Sequence, residues 1–132
     1  MFVKFQPNEK VKNGNDYVVR ALCKALNLSW LDVYSELNEV AMKKQIMPSD
    51  NKCFKEVLTN YGFEYVGIRN VKDVKRDTVQ TFAKKNNKGT YILSIANHLT
   101  TIVDGDWFDI WDCGHKCVSS YYVLKTIKEI HK

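Results

Sequence analysis

The residue periodicity of this chain changes once, near Tyr61, and that change limits the fold more than any other feature of the sequence. Before it, apolar residues recur at the three-and-four spacing of helices that bury one face; after it, short runs rich in β-branched and aromatic residues lie between turn signals. Helices first and strands second predict an α+β arrangement, with N-terminal helices packed on a C-terminal, mostly antiparallel sheet. The 132 residues, 45% of them hydrophobic, suit a single domain over residues 1–132 with enough apolar surface for one core, and residues 126–132 as an exposed tail.

Local signals place the elements. A first helix is expected from near Asp16 to Leu26, with Asn15 or Asp16 available to cap its free N–H groups after Asn13-Gly14, so that Tyr17 lies in its first turn. Ser29 opens a second helix, Trp30 to about Lys44, in which Leu31, Tyr34, Leu37, Val40 and Ala41 form an apolar stripe read as core. Asn51 to Tyr61 reads as a third helix stopped by Gly62. Phe63 to Ile68 reads as a strand, and Asp77 or Thr78 caps a fourth helix through Lys85. Thr90 to Ala96 is the best central strand.

His98 to Val103 and Trp107 to Trp111 read as two strands joined at Asp104-Gly105, a dipeptide suited to a tight two-residue turn. With that turn Val103 faces Asp106 and His98 faces Trp111, which puts Asp109 two positions along on the same face as His98. A three-residue loop would instead set Asp112 opposite His98. The two-residue turn is favoured. Ser119 to Lys125 adds a last strand.

Charge and cysteine content exclude little but bias the reading. Twenty Lys and Arg against fifteen Asp and Glu give a net charge of +5, which favours an acidic partner or nucleic acid. The basic runs Lys72 to Arg76 and Lys84 to Lys88 are short and suit ordinary solvated surface. The first twelve residues carry no apolar run of signal-peptide length, and no stretch approaches the ~18 apolar residues of a membrane span, so a cytosolic protein with no membrane partner is expected. Cys23, Cys53, Cys113 and Cys117 are then reduced thiols. Cys113-Gly-His115-Lys-Cys117 offers three soft ligands without a fourth, and neither a metal nor another cofactor is expected. The aromatic-rich stretch Trp107, Phe108, Trp111, Tyr121 and Tyr122 reads as core packing.

Five segments, in this order and spacing, resemble a family of small, often phage-encoded proteins with a papain-like or bacteriocin-leader-peptidase-like cysteine peptidase fold. They are residues 14–22 (GNDYVVRAL), 29–34 (SWLDVY), 88–93 (KGTYIL), 97–99 (NHL) and 104–113 (DGDWFDIWDC). The resemblance spans roughly residues 1 to 123. The family pattern reads Asp-Cys-Val-x-Arg-Ala where this chain has Asp16, Tyr17, Val18, Arg20 and Ala21. The family histidine corresponds to His98, preceded here by Asn97 instead of the usual Gly, and its orienting acid to Asp109.

What the resemblance implies is a nucleophile position at Tyr17 beside a His98–Asp109 pair, with Asp112 as the alternative third member. Such a pair activates a thiol at a helix N-terminus and holds the imidazole tautomer. A tyrosine phenol, with an unperturbed pKa near 10, is a far poorer acyl acceptor at neutral pH. Cys23, about 9 Å along the helix and on another face, does not substitute for it. Asn13, Asn15 and Asp16 are the candidates for an oxyanion or cleft role, although turn and cap duty beside Gly14 explains them equally well.

Three functions compete. The favoured one is an inactive papain-like protein that binds a host or phage protein or peptide, in the host cytoplasm if phage-encoded. The others are an active cysteine peptidase or amidase of which this chain is a substituted form, and a basic nucleic-acid-binding module.

Overall fold

The computed structural model describes residues 1–125, so the expected tail at 126–132 lies outside the described residues. In chain order the elements are β1 (Phe2–Lys4), α1 (Tyr17–Leu26), α2 (Trp30–Lys44), α3 (Asn51–Asn60), β2 (Phe63–Gly67), α4 (Val79–Lys85), β3 (Thr90–Ile95), β4 (His98–Val103), β5 (Asp106–Asp109) and β6 (Ser120–Leu124). The class is α+β: four helices and a six-stranded mixed sheet of order β1-β5-β4-β3-β6-β2 among the described residues. Among these residues no helix is long and apolar enough to cross a membrane.

Local chemistry explains most boundaries. The Ser29 side chain accepts the Asp32 N–H at 3.1 Å to start α2, and Asp50 accepts the Lys52 N–H at 2.8 Å to start α3. Thr78 and Thr81 close a reciprocal capping box on α4. Asn27 and Gln45, at φ 56 and 57, end α1 and α2 in the left-handed region. Strand β5 stops at Asp109, short of the predicted Trp111, because the Asp109 carboxylate takes the Ile110 N–H at 2.8 Å and turns the chain.

Both turns flanking β4 are two residues long. Ala96 and Asn97 join β3 to β4, with Ile95 paired to His98. Asp104 and Gly105 join β4 to β5, with Val103 paired to Asp106. Asp104 and Gly105 have φ of 49 and 87, the positive values at both central positions that a type I′ hairpin needs. Asn97, where the resembling family has Gly, sits at φ 54, a conformation asparagine tolerates better than most side chains.

The sheet is covered on both faces, by α1, α2 and α3 on one and by α4 on the other. Strict alternation along β3 and β4 divides the core. Ile92 and Leu99 pack with α1, α2 and α3, while Leu93, Ile95 and Ile102 pack with Val79, Phe82 and Ala83 of α4 and with Trp107, Cys113 and Val118. Helix α1 is tied down by the buried Thr101 hydroxyl, which donates to the Ala21 carbonyl at 2.7 Å.

Two sequence expectations change. Leu37, Val40 and Ala41 are buried as expected, but Leu31 and Tyr34 are 70% and 40% exposed and Val33 is buried with the other three. The stripe begins one residue earlier in the turn cycle than the spacing from Leu31 implies, which leaves Leu31 and Tyr34 at its margin. Strand β1 was not anticipated: three residues are too few for a periodic signal, and they are held by parallel pairing with β5, Phe2 opposite Trp107. The bond from the Phe5 N–H to the Asp109 carbonyl, 2.8 Å, extends this pairing to the end of β5.

The tight turn carries a measurable cost. A Cβ on Gly105 would be forced into the left-handed region and would stand 3.4 Å from the Asn87 Cβ. Gly105→Ala is therefore expected to destabilise the fold by about 1–2 kcal/mol, read as a lower urea midpoint with an unchanged m-value.

Candidate functional site around Tyr17, His98 and Asp109

The hairpin count places the histidine and the acid. Continuing the register from Thr101 opposite Phe108 sets Thr100 opposite Asp109, with His98 two residues along on the same face. The His98 Nε2 and the Asp109 Oδ2 lie 2.6 Å apart. Asp112 is elsewhere: its Oδ1 accepts from the Trp107 indole N–H and from the Gly114 N–H, both at 2.9 Å. The two-residue turn thus selects Asp109 and leaves Asp112 to fix the segment after β5.

Tyr17 is the first residue of α1 and its ring packs on His98, centroid to centroid 5.3 Å at 41°. Trp111 approaches the imidazole at 5.2 Å, so His98 has an aromatic ring from each of two chain segments against it. The His98 side chain is 10% exposed, and its Nδ1 makes no hydrogen bond among the described residues. Tyr17 also separates two hollows. One, about 260 Å³, is walled by Val18, Val19, Trp30, Tyr34 and Pro48. The other, about 220 Å³, is more polar and includes Ser49, Asn51, Ser94, Asn97 and His98.

The cleft candidates separate on inspection. Asp16 stands at the N-cap of α1 but its side chain caps nothing. Its carboxylate instead accepts from Arg20 Nη1 at 2.7 Å, from the Trp30 indole N–H at 2.7 Å and from the Asn8 amide at 3.3 Å. The expectation that Asn15 or Asp16 caps this helix is therefore corrected: Arg20 and Trp30 outcompete the backbone for the carboxylate. The first helical bond runs from the Arg20 N–H to the Asp16 carbonyl, so the N–H groups of Tyr17, Val18 and Val19 precede the ladder and have no side-chain cap. Asn15 is exposed beside the larger hollow, and Asn13 is exposed in a turn outside both.

Arg20 is the residue that sequence reasoning underrated. It is 4% exposed, and its two terminal nitrogens bridge Asp16 and the Oδ1 of Asp109, the latter at 3.2 Å. A continuous polar path thus runs Trp30–Asp16–Arg20–Asp109–His98. The available signal was an arginine one turn after Asp16 on a helix whose other side chains are mostly apolar, since an arginine on such a buried face needs carboxylates to neutralise it. Burial pushes the Asp109 carboxyl up, but the His98 hydrogen bond and charge, the Ile110 N–H and the Thr100 hydroxyl outweigh it and hold the group below the usual carboxylate range.

Burial disfavours the ionised form of two of the thiols. Cys23 is buried, and burial together with the Asp16 charge pushes it up to about 12. Cys113 is buried under Asp109, to which its Sγ donates at 3.7 Å, and burial pushes it likewise to about 12. Cys117 is exposed after β5.

Two measurements test this network. Arg20→Leu leaves two carboxylates beside an apolar side chain and is expected to cost about 3–5 kcal/mol in chemical denaturation. The pH dependence has a definite sign. Because the folded Asp109 value is depressed, its stabilising contribution is complete above the unfolded value of about 3.9 and drains as pH falls through the folded value. The stability gap between the wild type and Asp109→Asn is therefore expected to be widest near neutrality and to shrink steadily below about pH 4.

Comparison of the chain with protein-family models, curated proteins and solved structures finds no match.

Proposed function

We propose that this chain is a papain-like cysteine-peptidase-fold protein that has lost hydrolysis and acts by binding a peptide or protein, of phage or host origin. The observation that carries this reading is the Tyr17 ring packed on an imidazole whose Nε2 is held by Asp109. The position that the resembling family gives to a cysteine is the first residue of a helix with uncapped N–H groups, where a thiolate would be stabilised. Asp109 orients the ring and leaves Nδ1 without a hydrogen-bond partner among the described residues, the geometry in which an imidazole serves as a base. A phenol at that position supplies the bulk of a side chain and little acyl-transfer reactivity at neutral pH.

The two hollows beside Tyr17 support a binding role. The larger is walled by aromatic and aliphatic groups, with Trp30 stacked on Tyr34 at 5.2 Å, and the smaller by polar ones. Together they offer apolar anchorage next to hydrogen-bonding groups, the composition of small peptide-binding clefts.

Restoring the thiol tests the assignment. The wild-type chain is expected to leave peptide substrates uncut and to take up no thiol-directed peptidase probe at residue 17. Tyr17→Cys is expected to be labelled there and to cleave a peptide library, with both properties abolished by adding His98→Ala. A folded Tyr17→Cys protein that is neither labelled nor active would refute the peptidase-fold reading.

A further inference from the structure

Cys113 has no part in the function proposed above, yet its Sγ lies under the same carboxylate that holds His98. The donor atoms of His98, Asp109 and Cys113 all fall within 4.8 Å of one another. From this geometry we infer that the three side chains form a mononuclear site for a thiophilic divalent cation, zinc above all, with one coordination position open. The inference goes beyond the peptide-binding reading and does not rest on it.

Two of the three separations are close to those a metal needs, and the third, from His98 to Cys113, lies within 4.8 Å and would have to close further. Bonds of about 2.0–2.1 Å to nitrogen and oxygen and about 2.3 Å to sulfur place tetrahedral ligand atoms about 3.3–3.6 Å apart. The Sγ–Oδ2 separation is 3.7 Å, already near that spacing. The Nε2–Oδ2 contact of 2.6 Å would open by less than ~1 Å, with the ion replacing the hydrogen bond between them. The set of one imidazole, one carboxylate and one thiolate suits zinc or cobalt better than magnesium or calcium, which take oxygen ligands.

The surroundings are built to present these atoms. Asp109 Oδ1 is occupied by Arg20 Nη2 and by the Ile110 N–H, which turns Oδ2 toward both His98 and Cys113 as a single-oxygen ligand. Outer partners of this kind orient ligands in metal sites. Tyr17 and Trp111 hold the imidazole from two chain segments. Charge also closes: a divalent ion and Arg20 are balanced by Asp16, Asp109 and a Cys113 thiolate. The ion supplies the counter-charge that a buried thiolate needs.

Cobalt titration of the reduced 132-residue chain in the absence of oxygen provides the test. One equivalent is expected to produce the near-ultraviolet thiolate-to-cobalt band and the strong visible bands of a four-coordinate ion, displaced by zinc. Cys113→Ser is expected to remove the thiolate band and His98→Gln to weaken binding by about tenfold or more, while Cys117→Ser leaves both unchanged. His98→Gln alters a side chain that reaches the surface, so it carries the test if Cys113→Ser does not fold. No spectral change in the wild type, a band lost in Cys117→Ser, or His98→Gln binding as tightly as the wild type would each overturn the site.

Discussion

The buried guanidinium of Arg20 is the interaction on which the rest of this structure depends. It belongs to α1, yet it neutralises a carboxylate at the start of its own helix and another at the end of β5. Two acidic groups held that close to an apolar core are tolerable only because a single planar cation reaches both. The same contact fixes the relation between helix and sheet, since α1 cannot slide along β4 without separating Arg20 from Asp109 or Thr101 from the Ala21 carbonyl. Tyr17 and His98 therefore meet through a scaffold determined several residues away from either.

That network also explains an apparent irregularity at the start of α1. An aspartate at an N-cap ordinarily takes the first free N–H groups. Here it is drawn to Arg20 and to the Trp30 indole, and the helix terminus stays open toward the hollow in which Tyr17 stands. A small loss of local helix stability accompanies a site with free backbone donors. Trp30 has a double role: its indole N–H holds Asp16, and its ring stacks with Tyr34 to wall the cavity.

Much of this was legible in the residues. The bounds of α2, the class of the fold and the choice of Asp109 over Asp112 all follow from short-range rules: a serine cap, a change of period and a two-residue turn. What escaped were features that depend on partners distant in sequence. Strand β1 exists because β5 is beside it, the exposure of Leu31 and Tyr34 depends on how α2 is rotated against α1 and α3, and Arg20 is intelligible only once Asp109, 89 residues later, is brought to it. Packing of α4 on the second sheet face likewise has no local signature, because Val79, Phe82 and Ala83 would suit either face.

The two short turns around β4 give the site an arithmetic character. His98 begins the strand directly after Ala96-Asn97, and Asp109 ends the strand that begins directly after Asp104-Gly105. In a pleated sheet, moving a strand's pairing by one residue transfers all of its side chains to the opposite face. Such a site therefore depends less on the identity of any one turn residue than on parity. A substitution in either turn alters an energy; one residue gained or lost in Asp104-Gly105 would turn histidine and carboxylate to opposite faces, and one in Ala96-Asn97 would turn β4 over against β3.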